Sequence, residues 1–218
     1  MKTMVTSFVF AAALATFNGA QADVGQKTSL ALTRSIQSLC RAAPAETFDL
    51  TASPVGHLVA FVRATHDRTD PSSLWLFKPT NPSCKMLVHS HPTDNNTTNL
   101  RGLNNPVFSV DGKAIYVLSQ AWVTSDTLFR VDLATGKRQF VSAANLVMVI
   151  RDGPYRNDLI ISEHAYNAGP EGGSFERLLL ISPAGRRLMV LPKPNDGEDA
   201  GPWLHQHHWH VLNSGGVR

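Results

Sequence analysis

The sequence predicts an all-β chain of repeated four-stranded sheets, and three observations predict it. Past residue 46, short runs rich in Val, Leu, Phe and Ile alternate with clusters of Gly, Pro, Asn and Asp, the pattern of strands separated by turns. Thirteen prolines and fifteen glycines leave little room for long helices. Similar segments also recur at a spacing of about fifty residues, close to the period of a four-stranded module that buries its apolar face against the next copy.

The chain opens with a different pattern. Lys2 gives a positive start, Val5 to Phe17 is mostly apolar, and Ala20-Gln21-Ala22 supplies small residues at the two positions a signal peptidase reads. Residues 1–22 are therefore expected to be a secretory signal, cleaved before Asp23, which implies a periplasmic or secreted protein. The apolar run of thirteen residues is shorter than the roughly twenty that a membrane span needs. No later stretch is long and apolar enough to cross a bilayer, and the residue directly after the cleavage point is Asp23, not a cysteine that could carry a lipid. Residues 23–46 form an N-terminal segment, in which Leu30, Ile36 and Leu39 suggest a short helix over 28–41. Cys40 and Cys84 are the only cysteines. An exported chain lets them pair as a disulfide, whereas two buried thiols are the alternative. The absence of a CxxC spacing argues against a zinc or redox motif.

The repeat begins near residue 47 and runs to 192. Ser53 to Ala64 (SPVGHLVAFVRA) and Ser109 to Gln120 (SVDGKAIYVLSQ) share a serine, a turn glycine and an apolar strand. Second elements follow: Ser73 to Pro79, Thr127 to Ser142, and, as a third copy, Arg177 to Pro192. Gly185 aligns with Gly136, forty-nine residues earlier. The third unit opens less regularly, at Asp152 to His164, with an insertion. Asp111-Gly112 suits a tight turn, because glycine takes positive φ at little cost. The strand Ala114 to Leu118 is expected to be buried on both faces, and Ala134 to Lys137 to join two outer strands as a hairpin. Asp67 to Pro71 reads as another hairpin turn.

Phe108-Ser109-Val110-Asp111-Gly112-Lys113 and Ser53-Pro54-Val55-Gly56-His57 resemble the TolB-like, or WD40-like, β-propeller repeat, whose core reads approximately Ser-Pro-Asp-Gly-Lys before an apolar strand. Val110 stands where that family has proline, and the first copy lacks the aspartate. The resemblance implies a partial or small β-propeller of about three four-stranded blades, fewer than the four to eight of closed rings. Residues 193–218 form a His-rich tail whose last ten residues look like the start of a further blade. Three blades imply a shortened relative of a larger propeller, a partial ring completed by another copy, or an open stack closed by the N-terminal segment. An open stack leaves sheet edges through which copies could associate.

Composition and charge exclude some functions. A formal charge of +3, with no Lys/Arg run beyond two, does not support nucleic-acid binding. The chain has no G-x-S-x-G, H-E-x-x-H or G-x-x-x-x-G-K-[ST]. Ser174, in a glycine-rich stretch, reads as a connector rather than a nucleophile. The one concentration of ligand-type side chains is His205, His207, His208 and His210, four of nine histidines within six residues. On a strand, His208 and His210 would share one face and His205 and His207 the other, so each pair could hold a divalent metal ion. His164 or Glu163 could supply a third ligand; a solvated His-rich tail is the plainer reading. The cluster faintly resembles the metal region of oligogalacturonate-lyase-type propellers, which implies a metal-dependent enzyme or its remnant. His89 and His91 read as loop residues, the polar stretch Asn95 to Asn99 as a loop able to touch a ligand, and Trp75 and Trp122 as packing residues. The reading favoured by the whole is a non-enzymatic module that binds a protein or peptide partner through its loops or channel mouth.

Overall fold

The computed structural model describes residues 46–64, 71–167, 172–191 and 209–212, together with Ile36, Cys40 and Leu204. The described chain is all-β and forms three antiparallel sheets. The first contains β1 (Glu46–Ala52), β2 (Val59–Ala64), β3 (Ser73–Lys78) and β4 (Ser83–His89). The second contains β5 (Arg101–Phe108), β6 (Ala114–Gln120), β7 (Asp126–Asp132) and β8 (Arg138–Ala143). The third contains β9 (Leu146–Ile150), β10 (Leu159–Tyr166), β11 (Ser174–Ile181) and β12 (Arg187–Val190), and β13 (Val211–Leu212) pairs with the free edge of β9. Within β1–β4, β5–β8 and β9–β12 each strand pairs with its neighbour in sequence, an up-and-down meander, and β13 is the exception, adding to the edge at β9.

The turn chemistry explains the recurring Ser-x-x-Gly. Ser109 directly follows β5, and its hydroxyl donates to Asp111 Oδ1 at 2.7 Å while accepting from Ala114 N at 2.9 Å. Lys113 N also donates to Asp111 Oδ1, at 3.0 Å. These bonds, that of Ser109 first, hold the Asp111 carboxyl below its ordinary pKa. Gly112 follows at φ 65°, and a Cβ there would collide with the side chain of Val55 in the first sheet's turn. The turns at 53–58 and 151–158 occupy the same place between the first and second strands of their sheets. The hairpin at Ala134 to Lys137 joins β7 to β8 as the sequence suggests, and that at Ser182 to Arg186 joins β11 to β12.

The sheets stack as blades because the alternation of side chains serves two interfaces. On β6, which is buried from Ala114 to Ser119, Ile115 and Val117 pack against Ala60, Val62, Leu74 and Leu76 of the first blade. The intervening Tyr116 and Leu118 pack against Val147, Val149, Leu159 and Ile161 of the third. The first strands meet, β1 with β5 and β5 with β9, while among the described residues no contact as extensive joins β4, β8 and β12. The blades therefore fan out from a narrow end, in the manner of a partial propeller.

The two outward faces are covered by other parts of the chain. On the first blade, Val59, Phe61 and Phe77 pack with Ile36 and Cys40. Cys40 N donates to Ile36 O at 2.8 Å, the i to i−4 bond of a helical turn. Cys40 is disulfide-bonded to Cys84 of β4, with their Cα atoms 5.6 Å apart. On the third blade, Met148, Ile150, Ile160, Leu178 and Leu180 pack with Leu191 and Leu204, and Tyr155 and Trp209 join them. The proposed signal segment, the rest of the 28–41 helix and the turn at 67–70 lie outside the described residues.

Candidate functional site

The blade geometry places several connecting loops at one end of the fan, and these loops shape an open groove. Its walls are residues of the 92–101 connector between the first two blades and of the β6–β7 loop, including Asn96, Gln120, Trp122 and Asp126; the volume is about 610 Å³. Trp122 was expected to pack in the core, but the chain leaves the sheet after Gln120, and Trp122 is 43% exposed beside a fully exposed Val123. Trp75 meets the packing expectation: it lies in β3, half-buried, stacked 6.5 Å from Phe61, with the Arg63 guanidinium carbon 5.5 Å from its ring.

The connector is internally fixed. His91 and Leu100 bridge its two ends through reciprocal backbone bonds of 3.2 Å. Asn95 Oδ1 accepts from Thr97 N at 2.9 Å and from the Thr97 hydroxyl at 2.8 Å. Asn99 Nδ2 donates to Gln120 O at 2.7 Å, and the Thr127 hydroxyl donates to Asn96 O at 3.0 Å. A compact loop with joined ends and its own polar core is a preformed surface. Polarity in the sequence marked this stretch as a loop; the side-chain bonds that stiffen it depend on neighbours about twenty to thirty residues away in β6 and β7.

From the groove a chain of hydrogen bonds runs into the third blade. Asn104 Nδ2 donates to Asp126 Oδ2 at 3.2 Å, and Asp126 N donates to Asn145 Oδ1 at 3.0 Å. Burial raises the Asp126 carboxyl above its ordinary pKa, against the smaller, opposite effect of the Asn104 bond. Asn145 Nδ2 then donates to Thr124 O at 2.8 Å and to Glu176 Oε1 at 3.1 Å. Glu176 also accepts the Ser162 hydroxyl, and its Oε1 lies 3.1 Å from His164 Nδ1. The order matters chemically. A nucleophilic triad has the histidine between serine and acid, whereas here the carboxylate stands between Ser162 and His164, so the imidazole makes no bond to the hydroxyl.

The sequence-proposed ligands are distributed as follows. His210 precedes β13, its Nδ1 2.9 Å from Asp152 Oδ2, and both side chains are exposed. His205, His207 and His208 lie outside the described residues. Glu163 and His164 are adjacent on β10 and so serve opposite faces. Glu163 is paired with Arg177 at 2.6 Å and with Arg187 at 3.1 Å. His164 is largely buried, and its Nε2 has no hydrogen-bond partner among the described residues. Among those residues no group of three or more His, Cys, Asp or Glu is placed to hold a metal ion. Ser174 opens β11 instead of lying in a connector.

No family model matches the chain, and no curated protein matches it. Several solved structures are similar in fold. An acylaminoacyl peptidase bound to Z-Gly-Gly-Phe-chloromethyl ketone aligns at 17% identity over 70% of this chain and 26% of that one, with a TM-score of 0.48. The propeller domain of the trilobed protease from Pyrococcus furiosus, described as having an open velcro topology, aligns at 17% identity over 70% of this chain and 44% of that one, TM-score 0.45. An acylaminoacyl peptidase from Pyrococcus horikoshii gives 16% identity over 70% and 26%, TM-score 0.47. The chain thus spans between a quarter and under half of these proteins.

Proposed function

We propose that this chain is an exported, TolB-like propeller-repeat module that binds a protein or peptide partner in the groove between the 92–101 connector and the β6–β7 loop. The observation that carries the reading is Trp122 with Val123, exposed beside a connector fixed by its internal Asn95–Thr97 bonds and by the bond from Asn99 to Gln120 of β6. An exposed aromatic and an aliphatic side chain on a stiff polar rim concentrate binding energy at low ordering cost. The Ser-x-Asp-Gly turn of the second blade supports the family assignment. The signal pattern at residues 1–22 and the Cys40–Cys84 disulfide support export.

The test is a parallel capture from periplasmic extract with the wild-type protein and the double variant Trp122→Ala, Val123→Ser, followed by affinity measurement with the purified captured protein. A partner held at least tenfold more weakly by the variant is the expected result. Equal retention by both proteins removes the groove from the reading.

A second reading is a metal-dependent enzyme, or its remnant, of the oligogalacturonate-lyase propeller type. One observation favours it. His164 Nε2 is buried and unpartnered on the face of β10 that also carries Ile160, and Leu204, immediately before the histidine run, packs on that face. A divalent ion there would acidify a sugar carbon next to a carboxylate. Zinc or calcium titration of the wild type against a variant with His205, His207, His208 and His210 all changed to Ala decides it: identical isotherms end this reading.

A further inference from the structure

The groove between the 92–101 connector and the β6–β7 loop holds a negative charge that the fold leaves unanswered. Asp126 opens β7 in its wall, and Asp94 of the connector and Trp122 of the loop line it as well. Asp126 Oδ2 accepts one hydrogen bond, from Asn104 Nδ2 at 3.2 Å, and Oδ1 has no hydrogen-bond or ion-pair partner among the described residues. Asn104 is itself held in place: its Nδ2 also donates to Gly102 O at 3.1 Å, and its Oδ1 accepts from Asn105 Nδ2 at 3.0 Å. The backbone of Asp126 is pinned as well, its N–H to Asn145 Oδ1 and its carbonyl by Ala144 N at 2.9 Å. The acid therefore stands rigid in the wall with one long, neutral bond. At neutral pH it costs the fold stability that an asparagine would not, because burial holds its carboxyl above the ordinary pKa. A fixed, uncompensated carboxylate in a groove is the mark of a binding group.

Its neighbours in the groove suit a cation. Trp122 N donates to Ser125 O at 2.8 Å, a tight turn that fixes the backbone under an exposed indole, and indole faces attract cations. Asp94 is exposed between Thr93 and Asn95, which are tied within the connector. Arg101 lines the same groove and is already engaged by other groups. The described lining thus sets two carboxylates against one guanidinium, on a chain whose formal charge is +3. We propose that the groove selects its partner by a basic side chain: an arginine of an extended partner segment enters it, its guanidinium bonded to Asp126 Oδ1 and its plane or stem against Trp122, with Asp94 adding attraction. Arginine suits the site better than lysine, because a planar guanidinium can stack on the indole while its fork meets the carboxylate. This inference rests on the groove reading above and names the chemistry of the occupant.

The probes are short acetylated, amidated alanine peptides that differ only at the central residue: arginine, its uncharged isostere citrulline, lysine, leucine or glutamate. Each is titrated into the purified protein by NMR, read at the Trp122 indole N–H. The arginine peptide is expected to shift that signal and to bind about tenfold more tightly than the citrulline peptide, with the advantage shrinking as salt is raised. Asp126→Asn is expected to bring the arginine peptide down to the citrulline affinity, with its urea midpoint measured alongside to show that the variant is folded. The comparison of arginine with citrulline on the wild type needs no variant. Citrulline or leucine bound as tightly as arginine, or glutamate preferred, overturns the selection of a cation and leaves the groove as a docking site. An arginine preference undiminished in folded Asp126→Asn overturns the role of Asp126. No indole shift with any peptide overturns this inference, and the groove reading is then decided separately by capture with the Trp122→Ala, Val123→Ser variant.

Discussion

Gly185 and Gly136 occupy the same turn in successive blades, at φ 84° and 70°, yet they tolerate substitution differently. A Cβ on Gly136 would meet nothing within 4 Å, whereas one on Gly185 would collide with the carbonyl of Val141 in β8. Both alanine variants bear left-handed strain of about 1–2 kcal/mol. Gly185→Ala adds a backbone clash across the blade interface and is expected to lose about 2 kcal/mol more than Gly136→Ala, read from urea midpoints. Asp126 offers a test with pH. Its folded pKa is raised by burial, so the folded state holds the proton more tightly than the unfolded chain does. Its contribution to stability is therefore present below the ordinary carboxyl range and is lost as pH rises through the raised value. Asp126→Asn keeps an acceptor for Asn104 and removes that titration. Its urea midpoint is expected to exceed that of the wild type at neutral pH and to converge with it near pH 3; a constant gap across this range would refute the assignment.

Inner and outer strands of the blades carry unequal shares of the stability. β6 is the second strand, covered on both faces, and Ile115 is fully buried between the first and second blades. Ile115→Ala is expected to cost about 3 kcal/mol through lost transfer energy and the cavity left behind. β12 is the outer strand of its blade, and Val190 is 57% exposed, so Val190→Ala should stay within about 0.5 kcal/mol. Thermal or urea unfolding of the two variants checks the ranking. Much of this was legible in advance. The unbroken apolar run Ala114 to Leu118 announced a strand buried twice, and the serine, aspartate and glycine before it announced its turn. The β6–β7 loop was not legible: Trp122 reads as a strand residue by type, and only the exit of the chain from the sheet after Gln120 turns it outward.

For the molecule as a whole, a stack of three blades has two end faces that must be covered. Repeat arrays generally solve this with atypical terminal units that present polar surface outward. Here Ile36 and Cys40 cover one end and Leu191, Leu204 and Trp209 the other. Leu204 is fully buried on the outward face of the third blade. Leu204→Asp would place an unpaired carboxylate among Met148, Ile160 and Leu180, and is expected to cost about 3 kcal/mol or more and to raise apolar-dye binding. Calorimetry with dye fluorescence checks it; an unchanged melting temperature would mean the third blade needs no such cover.

The sequence by itself determined the class of the fold, the repeat and its turns, because strand alternation and glycine-dependent turns are local effects that each segment writes in its own residues. It also named the cysteines that pair. The tertiary structure alone decided what the termini cover, which loops meet to form the groove, and that Glu176 stands between Ser162 and His164. Those outcomes depend on packing between residues far apart in the chain, and a pattern of period two records which residues share a face, not which distant face they will meet.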